Sequence, residues 1–205
     1  GLYYYNKENY SKDIVKTIKK FADHLVEMYK ENSTQDWKWF ESALTYSNSK
    51  LPEALFYSYV STQDSKYLAL AETTLDFLMS KTFEGGVFVP IGQNGWYKRG
   101  GPRSYFDQQP LDVSSMVQTL ALAYKLTKNP EYEKNSLKAF HWFLGKNTLN
   151  QVVYNEKTGG CYDGLDKTYL NLNQGAESSV SYLLARLSLD EICLFIVFQN
   201  FYFRR

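Results

Sequence analysis

Residues 51–78, LPEALFYSYVSTQDSKYLALAETTLDFL, and residues 116–143, MVQTLALAYKLTKNPEYEKNSLKAFHWF, are two copies of one pattern offset by 65 positions. Leu55 meets Leu120, Tyr59 meets Tyr124, Thr62 meets Thr127 and Asp64 meets Asn129. Further on, Tyr67, Leu75 and Phe77 meet Tyr132, Phe140 and Trp142. Self-similarity at a fixed period is the mark of a stacked repeat. The unit reads as a helix, a short Thr-x-(Asp/Asn) turn and a second helix. Pro52 lies near the start of one first helix, with Leu55, Phe56, Tyr59 and Val60 on one side. Pro110 opens the other, which carries Val113, Met116, Val117, Leu120 and Tyr124. Proline suits a first turn because its missing N–H has no helical partner there. Asp64 reads as the N-cap of a helix through Tyr67, Leu68, Ala71, Leu75 and Leu78. Asn129-Pro130 opens the equivalent helix through Tyr132, Leu137, Phe140 and Phe143, which Gly145 is expected to end.

The pattern extends in both directions. Ile14, Ile18, Phe21, Leu25 and Met28 recur at steps of three and four, one face of a helix over 10–29. It reads as the second half of an earlier hairpin. A last pattern runs from Ala176 through Val180, Leu183, Leu184 and Leu187 and reads as the first half of a later one. The expectation is all-α: helical hairpins in an open arc, an incomplete (α/α) toroid over 1–189. Residues 190–205 form an apolar tail outside the repeat. A closed ring of six such units needs about 390 residues, and this chain has 205. Apolar flanks are therefore expected at both ends of the arc.

Turns inside hairpins are about three residues long, whereas the segments between hairpins, 31–50, 85–109 and 146–175, are long. Each precedes the first helix of a hairpin, so stacking puts all three at one end, beside helix N-termini with free N–H groups. Short strands are expected there around Glu84–Val87 and Thr158–Gly164. This rim collects Trp37, Trp39, Glu41, Trp96, Tyr97, Arg99, Arg103, Asp107, Asp163 and Glu177. Trp39 reads either as a sugar-stacking surface beside Glu41 or as a plug of the ring end, with Glu41 as a cap. The polar run Asp107-Gln108-Gln109 before Pro110 exceeds what capping needs and reads as a site. Glycines on both sides of Cys161-Tyr162-Asp163 aim Asp163. Asn171, Asn173 and Gln174 offer amides that both donate and accept, as hydroxyl-rich ligands require. Glu177, in a first helical turn, serves either the site or the helix dipole. Cys161 reads as a small buried filler and His141 as structural.

Composition narrows the field. With 44% apolar and 22% charged residues the chain is globular. A net charge of +1 excludes a nucleic-acid partner held by bulk charge. Two isolated histidines and two cysteines without a CxxC give no metal site, and nucleotide-loop and serine-hydrolase motifs are missing, so neither metal nor cofactor is expected. The most apolar run, Ile192–Phe198, is far short of the ~20 residues that span a bilayer. Gly1–Tyr10 lacks the pattern of a signal peptide. The expectation is a cytoplasmic protein with no membrane partner; the sequence opens on Gly1, so an upstream signal stays open.

The strings Trp-x-Trp-Phe-Glu (37–41), Leu-Thr-Tyr-x-Asn-x-x-Leu-Pro-x-Ala-Leu (44–55), Phe-Asp-Gln-Gln-Pro (106–110), Trp-Phe-Leu-Gly-x-Asn (142–147), Gly-Gly-Cys-Tyr-Asp-Gly-Leu (159–165) and Asn-Gln-Gly-Ala-Glu-Ser (173–178) resemble a bacterial six-hairpin (α/α) toroid domain of the glycosidase-like group. Such domains stand alone near sugar-processing genes or behind glycosyltransferase domains. The resemblance covers about residues 10–189. The family pattern also has an Asp-Asp-rich motif and further hairpins upstream, which are not among these 205 residues. It implies an oligosaccharide or glycan partner, together with the remaining part of the toroid or a glycosyltransferase domain.

Three functions follow for test. A glycoside-hydrolase-like enzyme needs two carboxyl groups, drawn from Asp107, Asp163, Glu41 and Glu177, with Asp107 and Asp163 foremost. Trp37, Trp39, Trp96, Tyr97 and Tyr162 would then meet sugar faces, and Arg99, Arg103, Gln108, Gln109, Asn171, Asn173 and Gln174 the hydroxyls. The alternatives are a non-catalytic glycan-binding accessory domain and a helical-repeat scaffold for protein partners.

Overall fold

The computed structural model describes the backbone of residues 1–202, with side chains as far as Cys193 and that of Phe195. Its helices are α1 (Leu2–Glu8), α2 (Lys12–Asn32), α3 (Lys50–Thr62), α4 (Ser65–Thr82), α5 (Pro110–Thr127), α6 (Pro130–Phe140) and α7 (Ala176–Tyr202). Two-residue strands join in antiparallel pairs: β1 (Ala43–Leu44) with β4 (Tyr97–Lys98), β2 (Phe83–Glu84) with β3 (Val87–Phe88), β5 (Tyr154–Asn155) with β6 (Gly160–Cys161), and β7 (Gly164–Leu165) with β8 (Leu170–Asn171). Helices α3, α5 and α7 lie side by side as an inner layer, and α2, α4 and α6 back them as an outer layer. The core lies between the layers, with Phe56, Tyr67, Leu75, Leu120, Tyr132 and Phe143 buried in it.

The repeat is reproduced bond for bond. Thr62 and Thr127 each donate to the carbonyl four residues back and accept the N–H of Asp64 or Asn129. Gln63 and Lys128 take the left-handed conformation that ends an inner helix, at φ 59° and 62°. The Asp64 carboxylate accepts from the Lys66 N–H at 3.2 Å, and the Asn129 amide oxygen from the Glu131 N–H at 3.1 Å. The outer helices α4 and α6 are each also tied to the outer helix before them. The Tyr67 hydroxyl donates to Asp23 at 2.7 Å, and that of Tyr132 to Asp76 at 3.0 Å.

Several expectations need correction. Helix α6 ends at Phe140; turns through Trp142 and Phe143 follow, and Gly145, at φ 93°, closes those turns rather than the helix. Helix α1 was not foreseen; it has no buried residue, and its Tyr3 and Tyr4 pack on Tyr57. The apolar tail is, as far as Tyr202, the continuation of α7, and Phe203 to Arg205 lie outside the described residues. The largest departure concerns the face of α7. Ser178, Ser181, Ala185, Leu189 and Ile192 are its buried side, whereas Val180, Leu183, Leu184 and Leu187 are exposed. Leu137 and Phe21, also read as core, stand exposed.

If the two turns do equal work, Asp64→Ala and Asn129→Ala each lower the unfolding free energy by about 1 kcal/mol. A urea titration showing a loss in one variant and none in the other would refute that equivalence.

Candidate functional site at the long-loop rim

Each long segment runs from the end of an outer helix to the start of an inner one, so 33–49, 83–109 and 141–175 share one end of the arc. Two non-local contacts fasten them. Strand pairing sets Ala43 opposite Lys98 and Leu44 opposite Tyr97, joining the first segment to the second. Gln108 and Leu165 exchange both backbone hydrogen bonds at 2.9 Å, joining the second to the third.

Part of the expected sugar surface is core instead. Trp39 and Phe40 are fully buried and plug the end of the arc. Trp37 is buried against Phe77 and Tyr97, and its indole N–H donates to the Glu41 carbonyl at 2.7 Å. Gln108 is buried: its oxygen accepts from the Trp142 indole at 2.8 Å, and its nitrogen donates to the Tyr105 carbonyl and the Thr148 hydroxyl. Aromatic rings fill a layer end by large apolar area, and local sequence does not separate that use from ligand stacking. The Arg99 guanidinium donates to the Asn32 carbonyl at the end of α2. That of Arg103 is held over Tyr105 by the Val89 carbonyl and Glu84. Both guanidinium groups are thus bonded to backbone carbonyls of the fold. Glu41 is exposed and caps nothing, since Ser49 precedes α3. Tyr162 accepts from the Asn155 amide.

Asp107 and Asp163 do come together. A Cβ on Gly164 would lie 3.0 Å from the Asp107 carboxylate and run into the Gln108 carbonyl, so only glycine lets the third segment pass this close. Burial raises the Asp107 pKa, the Gln109 hydrogen bond opposes it, and the charges of Asp166 and Asp163 raise it further. Asp163 behaves oppositely. Burial pushes its pKa up, but hydrogen bonds from Ser178, Asn173 and the Gly175 N–H outweigh that and hold it below the ordinary value. The Ser178 hydroxyl and Gly175 N–H reach one oxygen at 2.6 and 2.8 Å, and the Asn173 amide takes the other. Contrary to expectation, Asp163 is thus the cap that anchors the start of α7. Gln109 precedes α5 without capping it; its side chain accepts from Gln93. The Gln174 oxygen accepts from Thr158, and Asn171, exposed, holds the Asn173 N–H. Burial, with the Asp163 charge, raises the Cys161 thiol to about 12, so it is a filler as read.

The sequence reading missed Asp112 and Tyr46. Asp112 is buried in the first turn of α5, and one carboxylate oxygen accepts the Ser47 N–H at 2.6 Å. The other oxygen has no partner among the described residues; neither has the Ser49 hydroxyl, and both residues line a cavity of about 10 Å³. Burial raises the Asp112 pKa to about 7, the Ser47 N–H opposes it, and the Glu177 charge adds to it. The Glu177 charge thus acts on Asp112. Ser47, at φ 48°, turns the chain so that Tyr46 projects outward, 5.7 Å from the Trp96 ring and tilted 38° to it. Asp112, three residues beyond Gln109, has the look of an ordinary dipole acid in sequence.

The chain is similar to the family 76 glycoside hydrolase (mannosidase) Bt3792 of Bacteroides thetaiotaomicron, at 16% identity and TM-score 0.56, over 71% of this chain and 38% of that one. The fold is that of an (α/α) toroid. It is also similar to the Lin0763 protein of Listeria innocua, at 15% identity and TM-score 0.66, over 95% of this chain and 51% of that one. A second family 76 glycoside hydrolase, from a bovine Bacteroides thetaiotaomicron strain, aligns at 16% identity and TM-score 0.50, over 71% and 34%. The chain thus spans about half of one of these structures and little more than a third of the other two. No protein-family model and no curated protein matches it. No described helix is long and apolar enough to cross a membrane.

The Asp112 carboxyl titrates at about 7 in the fold against 3.8 ordinarily. Between those values the folded state keeps a proton that the unfolded chain has released. Its contribution to stability is therefore present below pH 4 and is lost as pH rises through 7. Asp112→Asn retains an acceptor for Ser47 and cannot ionise. Its advantage over the parent should grow from pH 4 to 7 and level off on the order of 4 kcal/mol. Parallel stability profiles for the two proteins would refute the assignment.

Proposed function

We propose that the rim is a carbohydrate-binding cleft of the glycoside-hydrolase type, in which Asp107 is the carboxyl group that hands a proton to a glycosidic oxygen. The observation that carries this reading is the paired Tyr46 and Trp96 rings, set outward on the same rim that holds a carboxyl with a raised pKa. Flat apolar rings with polar edges suit the faces of sugar rings. The amides of Gln109, Asn171, Asn173 and Gln174 stand in the adjoining segments and supply two-way hydrogen bonding to hydroxyls. A carboxyl whose pKa is raised by burial and neighbouring acids is disposed toward the role of general acid. Mannose-containing oligosaccharides come first as substrates, by fold-level analogy to the mannosidase above. A cytoplasmic setting belongs to the same proposal and is supported by the free thiols of Cys161 and Cys193.

One observation favours a second reading. Glycoside cleavage takes a second carboxylate as base or nucleophile, and both oxygens of Asp163 are committed to the start of α7. That favours binding without turnover, as in an accessory domain working beside a glycosyltransferase.

A panel of manno- and gluco-oligosaccharides, followed by saturation-transfer NMR for binding and by released sugar for turnover, tests both. Tyr46→Ala and Trp96→Ala should each weaken binding about tenfold, or ~1.4 kcal/mol. Asp107→Asn should keep binding and abolish any release. No binding across the panel would overturn the carbohydrate reading, and release untouched by Asp107→Asn would overturn the acid assignment.

A further inference from the structure

We propose that one internal water molecule is bound between the free carboxyl oxygen of Asp112 and the Ser49 hydroxyl, and that Asp112, so hydrated, is the positioning residue that holds Tyr46 in its pair with Trp96. The water site stands on the buried groups alone; its bearing on sugar binding rests on the carbohydrate reading. Asp112 and Ser49 are 6% and 2% exposed, and each has a side-chain oxygen without a partner among the described residues. Buried polar oxygens left unpaired are costly, and native interiors rarely keep them. The two oxygens do not bond each other, yet both residues line the same cavity of about 10 Å³. That is about the room of one water, and a polar cavity of this size is where a bridging water sits. Thr82 and Ser115 line it too. Their hydroxyls donate to the Leu78 and Asp112 carbonyls at 2.8 and 3.0 Å, and each keeps a lone pair to accept a water hydrogen. Leu78, Phe88, Ile91 and Met116 form apolar walls. Water, unlike a cation, suits both forms of the carboxyl, accepting from the protonated oxygen and donating to the ionised one.

Asp112 reaches the rim through its other oxygen. That oxygen accepts the Ser47 N–H across 65 residues, the offset of the repeat, so the bond joins equivalent points at the starts of α3 and α5. Ser47 stands at φ 48°, a conformation that a residue other than glycine keeps only where its surroundings impose it. Much of the turn closes on itself. The Asn48 side chain accepts from the Thr45 N–H and donates to the Thr45 carbonyl, and the Ser47 carbonyl accepts the Lys50 N–H at 3.0 Å. Two bonds tie the turn to α5: the one to Asp112, and one from the Thr119 hydroxyl to the Ser49 carbonyl at 3.1 Å. Of these, the Asp112 bond is made by the residue next to Tyr46. Tyr46 is exposed, so its ring goes where the Ser47 backbone sends it. Without the Asp112 acceptor Ser47 is free to leave the left-handed conformation, and Tyr46 parts from Trp96. The water completes the hold, because it satisfies the carboxyl oxygen that faces away from Ser47 and fixes the carboxyl plane against Ser49.

A high-resolution crystal structure of the full chain should show one water within hydrogen-bond distance of both Asp112 and Ser49, and Ser49→Val should expel it. A dry cavity in the parent, or a metal ion in it, overturns the water site. For Tyr46 the readout is the fluorine NMR line of Trp96 in protein carrying fluorotryptophan, identified by its loss in Trp96→Phe. Asp112→Ala should move that line to where Tyr46→Ala puts it. Asp112→Asn, which keeps an acceptor for Ser47, should return it to the parent position. A Trp96 line unmoved in folded Asp112→Ala overturns the positioning role. Should that variant not fold, hydrogen exchange on the parent decides. The Ser47 amide, although in a half-exposed turn, should exchange orders of magnitude more slowly than in an unstructured chain, and exchange at the unstructured rate overturns the bond. None of these readouts involves sugar. A chain that binds no sugar, yet shows the water and the moved line, refutes the carbohydrate reading alone.

Discussion

The rim depends on Gln108. Its backbone N–H and carbonyl are both bonded to Leu165, its side-chain oxygen takes the Trp142 indole, and its amide nitrogen serves Tyr105 and Thr148. One buried residue thereby joins the segment before α5 to the segment before α7 and to the turns after α6. A buried amide with every group satisfied is stabilising, whereas one left unpaired costs about 1–3 kcal/mol. The network therefore holds a single arrangement. Asp107, next in the chain, is positioned by it, and Gly164, which must pass against Asp107, is next to Leu165.

Around that clamp the acids take different parts. Asp163 is ionised by three hydrogen bonds and works for the backbone. Asp107 is half-buried and surrounded by other acids, which favours its neutral form. Asp112 is sealed below the rim, where its pKa comes near neutrality. Identical side chains thus have pKa values shifted in opposite directions because solvent access and donor supply differ, not because of anything in their immediate sequence. The aromatic residues divide in the same way. Trp37 and Trp39 became core, while Trp96 pairs with Tyr46 at the surface.

The helices, the two complete hairpins and the placement of the long segments at one end were legible because each rests on local signals. Those signals are steps of three and four, caps at Asp64 and Asn129, prolines in first turns, and a repeat that compares the chain with itself. The hairpin at Gly85 and Gly86, both at positive φ, was legible for the same reason. The pairing of β1 with β4 was not, because it joins Leu44 to Tyr97 across more than a complete hairpin.

The sequence by itself determined that the chain is all-α, that it repeats, and that its loops gather aromatic and acidic residues at one end. Periodicity and capping are properties of neighbouring residues, and the chain carries them wherever it folds. Tertiary structure alone decided which side of α7 is buried, which tryptophans reach the surface, and which carboxyl groups have their pKa raised. Those outcomes depend on what lies across the gap from each side chain. Val180, Leu183, Leu184 and Leu187 have the spacing of a packed face and yet stand open, because an apolar stripe specifies that a partner is wanted, and only the arrangement of the other helices decides whether the same chain provides it.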